Sequence, residues 1–452
     1  MKKILLALII FSCIPVLGQN NGSYVDVAVI INDNSDVSKE IGLYFQQQRN
    51  IPDKNIIHIS SVVDEEIDSL TFDNIRIQVR NHLLSNNLTN DINYIVTTKG
   101  VPLRVKRGKC EDGNISTWKS CASVDSELSL VLSQLEEYIG KPDGVKNPYL
   151  NSNSLFSRAD YDIYLVSRLD GYTVLDIKNL IDRSSYESPV SKEASKFVLD
   201  LSYIDNSPSF DIIDNKFQNL QNYIGSNGWN CIYHPEYSLL TNQTEVIAYS
   251  SINFDPGNKV LNNSWLKGSV AEILFSFSAR TFNRQDNPDN ELLLADLINE
   301  GVCGAIGYPY HAFVHSTFNT NLFFKNYFFS ETRFNLAESY YSAIPGLSWQ
   351  TILVGDPKTS VSIDKSTGFN EDQGQINISP NPSNGIFTIK PNCVGLTSID
   401  IYNLKGLLIK SINIVNNSNL LTIDISEQQP GLYILFVKTD CGNSTHKVFK
   451  SK

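Results

Sequence analysis

The chain reads as an α/β protein of two halves followed by a small all-β unit, and three observations carry that reading. From Tyr24 to about residue 362, apolar runs of strand length alternate with amphipathic runs of helix length. Alternation of that kind marks a mainly parallel sheet with helices on both faces. From Gln375 the helical period disappears, and short alternating strands separated by Gly, Asn and Pro remain, the pattern of a β-sandwich.

Each element follows from its own residues. "YVDVAVII" is a buried strand, and "SDVSKEIGLYFQQQRN" the helix after it, capped by Ser35 with Ile41, Tyr44 and Phe45 on one face. The strands "NIIHIS", "NYIVTT" and "DIYLVSRL" alternate with the helices "TFDNIRIQVRNHLLSN", "DSELSLVLSQLEEYI" and "TVLDIKNLIDRSSYE". A second round has the strands "KFVLDLS", "WNCIYH", "EVIAYSS", "AEILFSFSA" and "CGAIGY", with the helices "FDIIDNKFQNLQNYIG", "NELLLADLINEG" and "NLFFKNYFF". This gives α/β halves over 24–187 and 188–362, a polar linker over 363–375 and the sandwich over 376–452. The sequence leaves open whether the halves share one sheet.

With 452 residues the chain is long enough for two or three domains. Its net charge of -11 and lack of a basic run argue against a nucleic-acid partner, whose phosphates need clustered Lys and Arg. Residues 1–18 have the layout of a cleaved secretory signal: Lys2 and Lys3, an apolar stretch from Ile4 to Ile14, then the small Gly18. That stretch is too short to span a bilayer, and no later run is long enough. No phosphate loop or dinucleotide fingerprint is present, so no cofactor is evident, although a divalent cation on acidic loop residues stays open.

In an exported protein the six cysteines after Cys13 suggest disulfides. Cys110 with Cys121 and Cys393 with Cys441 each fall within one local unit and are the expected pairs. Cys231 and Cys303 lie in apolar runs, where free buried thiols are as good a reading as a third pair.

The final unit carries Pro380-Asn381-Pro382 with Gly385, then "IYNLKG" (401–406), "PGLYIL" (430–435) and "KVFK" (447–450). In that order these resemble the C-terminal sorting domain that directs Bacteroidetes proteins through the type IX secretion system. The resemblance implies export through that machinery, the expected partner, followed by cell-surface attachment or release.

In parallel α/β sheets ligands meet the loops after the strands' carboxyl ends. Those loops hold "NDNS" (32–35), "TKGVPLR" (98–104), "VDSEL" (124–128), "SRLDG" (167–171), "SYID" (202–205), "YSS" (249–251) and "SFSAR" (276–280). Asp33, Asp125, Asp170 and Arg168 are the candidates for chemistry; Asn34, Lys99, Arg104, Glu127 and Arg280 are the candidates for binding. Plainer readings stand beside these: Asp33, Asn34 and Asp125 as helix caps, Arg168 and Asp170 as an ion pair bracing a turn.

Stretches from "VIINDNSDVSKEIGLYFQQQRNIP" to "LSWQTILVGDP" also resemble an uncharacterised family of secreted bacterial proteins. More loosely, the second half is similar to gingipain-type cysteine peptidases with a caspase-like fold, whose catalytic domain ends near a "GDP" like Gly355-Asp356-Pro357. That chemistry needs a His and a Cys at successive strand ends, where this chain has "YSS" (249–251) and "SFSA" (276–279). His234 lies three residues from Cys231 on one strand, so the two point to opposite faces, and His311 and His315 have no third ligand at a recognised spacing. The expected protein is a secreted or cell-surface hydrolase-like protein lacking the usual dyad. The alternative is a non-catalytic surface module that binds peptide or glycan.

Overall fold

A computed structural model describes residues 22–106, 121–135, 144–201, 208–252, 260–283, 291–311, 318–363, 376–391, 396–404, 406–418, 420–439 and 442–451. The expected signal segment 1–18, Cys110, Cys393, Cys441, Asp205, His315 and nearly all of the 363–375 linker lie outside those residues. The chain divides into two compact units, Met1–Ile363 and Asp364–Lys452.

In the first unit ten strands make one sheet: β1 (Val27–Asn32), β2 (Ile56–Ile59), β3 (Tyr94–Thr98), β4 (Leu165–Leu169), β5 (Lys196–Asp200), β6 (Asn230–His234), β7 (Val246–Ser251), β8 (Trp265–Ile273), β9 (Gly304–Gly307) and β10 (Ile352–Gly355). The spatial order is β6-β5-β7-β8-β9-β10-β4-β3-β1-β2. The two halves therefore share one sheet, each with its second strand outside its first. Within each half neighbouring strands are parallel. The sheet as a whole is mixed, because β10 lies antiparallel to β9 and meets β4 at the Val354–Arg168 bridge.

Helices cover both faces of the first half for the reason its sequence gives. In β1, Val27, Val29 and Ile31 join one apolar core with Ile41 and Phe45 of α1 (Asp36–Arg49). Ala28 and Ile30, pointing the other way, join a second core with Phe72, Ile75, Val79 and Leu83 of α2 (Ser69–Ser85). The caps are the expected kind: the Ser35 side chain accepts from the Ser38 N–H and that of Asp68 from the Thr71 N–H.

Three sequence expectations are corrected. The strand placed on "AEILFSFSA" is β8, which begins at Trp265 and ends at Ile273. Beyond it the chain turns: Phe277 has φ +63 and gives its N–H to the Tyr310 carbonyl, away from the β7 ladder. Of the helix expected over "DSELSLVLSQLEEYI", the described residues, up to 135, hold the five-residue α3 (Val124–Leu128). It stops there because the Ser129 carbonyl is taken by the Tyr164 N–H and the next residues close in shorter turns. Finally, β10 lies in "TILVGDP", which the periodicity left without an element.

The second unit has a three-stranded antiparallel sheet of β11 (Ile376–Ser379), β12 (Ile386–Pro391) and β15 (Leu421–Asp424). A four-stranded one is formed by β13 (Leu396–Asn403), β14 (Leu408–Ser418), β16 (Gly431–Thr439) and β17 (Gly442–Lys450), in the order β14-β13-β16-β17. Phe387, Ile389 and Ile423 of the first sheet share a core with Ile399, Ile401, Leu435 and Val437 of the second. Gly385, at φ +111 with the Ser426 backbone 2.6 Å from where a Cβ would stand, is a position only glycine fits.

Candidate functional site

The strand-end loops of both halves meet at one edge of the large sheet. Lys99, after β3, donates to the Phe282 carbonyl at 3.0 Å, and Arg104 donates to the Arg280 carbonyl at 2.6 Å. Glu65 accepts the Phe282 N–H at 2.7 Å; burial raises its pKa above the usual carboxylate range, with the nearby Asp170 adding to the rise. Arg104 also pairs with Glu66 at 2.9 Å and lies over the Tyr310 ring, while Arg280 pairs with Glu291 at 2.6 Å. These charges are half-buried and lie where the halves join.

Behind this rim, three of the four candidates for chemistry form one closed cluster. Arg168, wholly buried at the end of β4, bonds Asp125 through Nε (2.7 Å) and Nη2 (3.0 Å), Asp170 through Nη1 (2.8 Å) and the Pro102 carbonyl through Nη2 (3.0 Å). Asp125 accepts in addition from Thr97, and Asp170 from Lys99 and the Gly171 N–H. The fork of a guanidinium suits two carboxylates at once, and the carboxylates hold its pKa above even the normal arginine value despite burial. Such an arrangement braces the loops after β3 and β4. Glu127 is also buried, accepting the Ser348 hydroxyl at 2.7 Å. Asp33 and Asn34 stand apart from the cluster and exposed: Asp33 meets His58 at 2.7 Å, and Asn34 bonds Ser60 and the Ser61 carbonyl.

Ser250, Ser251 and Ser278, at the strand ends of the second half, are buried. Ser250 donates to Glu272 at 2.9 Å, as does Thr320 at 2.7 Å, and burial pushes that carboxyl up to about 8. Ser278 bonds the Ile273 carbonyl and the Tyr308 N–H. Cys231 and Cys303 are free thiols, and burial raises both, Cys231 to about 12. Cys231 helps line an open groove of ≈ 570 Å³ with Asn222, Ser226 and Trp229. Cys121 is buried against Tyr310, and its expected partner Cys110 lies outside the described residues. His311 packs on Phe277 and gives its backbone N–H to Gln350. Among the described residues no group of three or more His, Cys, Asp or Glu is placed to hold a metal ion.

One pair escapes a reading of the sequence. Asp200 ends β5 and His234 ends β6, and the two are register partners. The Asp200 carboxylate meets His234 Nδ1 at 3.0 Å and also accepts the Leu240 N–H at 2.8 Å and the Tyr249 hydroxyl at 2.9 Å. Burial raises its pKa, opposed by those hydrogen bonds. Asp200 is fully buried, whereas the His234 side chain is 19% exposed. The chain leaves β5 for β6 on one side, while β7 lies on the other, with Ser251 opposite Asp200. That is the switch point at which open α/β sheets take ligands. At the equivalent place in the first half Asn32 ties the strand-end loops together, donating to the carbonyls of Ser61, Val62 and Gly100. The spacing from Asp200 to His234 carries no motif; the only signal is two polar residues ending adjacent apolar strands.

Comparison with known proteins finds a family match in the second unit. Residues 377–451 match the family described as "Secretion system C-terminal sorting domain". The match implies handling by the type IX secretion machinery and export to the cell surface or the medium. No helix among the described residues is long and apolar enough to cross a membrane. No curated protein matches the chain. Among solved structures, the Arg-specific cysteine proteinase gingipain R is similar at 11% identity and a TM-score of 0.36, covering 95% of this chain and 98% of that one. The complex of Porphyromonas gingivalis RgpB pro- and mature domains is similar at 10% identity and a TM-score of 0.35, covering 94% and 99%. A Bacteroides vulgatus protein of the duf3244 family, with an immunoglobulin-like β-sandwich fold, matches 18% of this chain and 88% of its own at 20% identity and a TM-score of 0.16.

Proposed function

We propose that the protein is an exported, hydrolase-like protein whose reacting corner is the Asp200–His234 pair. The observation that supports it is a buried carboxylate holding Nδ1 of a part-exposed histidine at the switch point of the second half. With Asp200 ionised, the ring hydrogen sits on Nδ1 and Nε2 is the acceptor. A water held against Nε2 gives up its proton as its oxygen attacks a substrate carbonyl, and the imidazolium returns that proton to the leaving group. Asp200 fixes the ring and stabilises its charged form. The thiols take no part. The candidates Asp125, Asp170 and Arg168 support the neighbouring loops, and Asp33 lies outside the crevice.

A non-catalytic surface module is the second reading, favoured by the half-buried ion pairs of Lys99, Glu66, Arg104, Arg280 and Glu291 at the seam between the halves. Such a rim suits a polar peptide or glycan held without turnover.

Screening the purified mature protein against peptide and ester libraries separates the two. In the hydrolase reading, His234→Gln lowers kcat by about a thousandfold with KM little changed. Iodoacetamide leaves the rate intact, because burial keeps both thiols protonated. Binding without turnover selects the module. Activity abolished by iodoacetamide, with label on Cys231 or Cys303, returns the chemistry to a cysteine.

A further inference from the structure

The sorting unit has apolar side chains on a face that its core does not use. In an antiparallel ladder, residues directly opposite each other share a face. In the four-stranded sheet, Ile399, Ile401, Tyr433, Leu435, Val437 and Val448 face the core. The register sets Leu408 opposite Tyr402, Tyr402 opposite Ile434, and Leu432 opposite Phe449, all on the other face, with Phe436 one step along. Leu408 is 48% exposed and Phe449 46%, and the other four are half-buried.

An antiparallel sheet with one face on a core normally turns polar residues outward, and contiguous apolar patches on a folded surface mark sites of interaction. The sequence motifs sharpen the point. "IYNLKG" sends Ile401 inward and Tyr402 outward; "PGLYIL" sends Tyr433 and Leu435 inward, Leu432 and Ile434 outward. The core accounts for only half of each motif.

Charge narrows the partner. Two lysines and one aspartate share this face: Lys447 lies opposite Ile434, Lys438 sits 5.9 Å from the Phe436 ring centroid, and Asp400 lies opposite Phe436. Residues 377–451 hold six lysines against four acidic residues, in a chain of net charge -11. Two copies stacked face to face would set these lysines against each other.

We propose that this outward sheet face is the surface by which the sorting unit docks on the export machinery, against an apolar patch edged with carboxylates. The proposal rests on the family match of residues 377–451 and is independent of the Asp200–His234 chemistry, which its test does not touch.

The test uses the full chain in its own bacterium. One variant carries Leu408→Ser with Phe449→Ser; a second carries Lys438→Glu with Lys447→Glu. Delivery to the surface and medium is read against the periplasmic pool by fractionation and blotting. Each variant is expected to lose delivery about tenfold, the effect of removing one good anchor from an interface, and to accumulate in the periplasm. Melting temperatures of the purified variants should stay within about 2 °C of the parent, as for surface substitutions. Normal delivery of both variants overturns the proposal. So does a parent that light scattering shows to be a dimer and an apolar variant that is monomeric yet delivered, which assigns the face to a second copy. If the apolar variant is degraded, the lysine pair decides: its normal delivery overturns the docking face, and its retention in folded form upholds it.

Discussion

Replacing Arg168 with leucine is expected to destabilise the body by roughly 3–5 kcal/mol, the cost of stranding buried charges. In a unit of this size that is a fall in melting temperature on the order of 10 °C. The side chain is wholly buried, and its removal leaves Asp125 and Asp170 facing an apolar gap with the Pro102 carbonyl also unserved. Lys99 relieves Asp170 only in part, at 3.3 Å, and does not reach Asp125. Arg168→Lys is expected to be nearly as harmful, because one ammonium cannot reproduce the two-nitrogen grip on Asp125. Calorimetry of the purified body, with any hydrolytic or binding activity measured well below the transition, tests this. An unchanged melting temperature with lost activity would sink the brace and return Arg168, Asp125 and Asp170 to the chemistry.

Stability should also change with pH through Glu272. Its carboxyl is fully enclosed, accepts hydrogen bonds from Ser250 and Thr320 at one oxygen, and has no hydrogen-bond partner at the other. Burial raises its pKa from 4.5 to about 8, and among the described residues the charge of Lys216 does little to counter this, while Tyr308 is an uncharged neighbour. The folded state therefore holds a proton that the unfolded chain releases above its ordinary pKa. Folding takes up that proton between these two values, so this contribution declines as pH rises from about 4.5 and levels off above about 8. The full range is at most about 5 kcal/mol, since each tenfold difference in proton affinity between the two states is worth about 1.36 kcal/mol. Glu272→Gln keeps an acceptor for Ser250 and Thr320 and cannot ionise. Its amide nitrogen meets no acceptor, a pH-independent cost of about 1–3 kcal/mol. Relative to the parent, the variant should be less stable near pH 5 and more stable near pH 9. Parallel melting curves at the two ends of the pH series would contradict this.

The sequence shows its elements better than their arrangement, and the reason is the range of the interactions. Helix α1 is legible because Ser35, Ile41 and Phe45 act within a few turns of one another. The strands β1, β3, β4, β5 and β7 are legible because burial on both faces leaves continuous apolar runs. The four-residue β10 is not: its place between β9 and β4 is fixed by partners about 50 and 190 residues earlier, and nothing local announces it. The same limit governs the site. Arg168 and Asp170 are two residues apart and read as an ion pair, as they are, but their junction with Asp125 comes from the fold. Local sequence sets His234 beside Cys231, whereas its actual partner, Asp200, is 34 residues away across a parallel crossover.

The place of β10 also sets the order in which the body can be completed. It is the last strand of the large sheet along the chain and lies in its middle. A chain that has emerged only as far as residue 350 has two half-sheets, with β4 and β9 each presenting a raw edge. Such edges invite pairing with other chains. The last strand closes both at once, so the halves mature together, late, and within some twenty residues of the start of the sorting unit. Folding of the body is in this sense a zip fastened from its far end: fragments cut before Ile352 should aggregate, while those that include Gly355 should not.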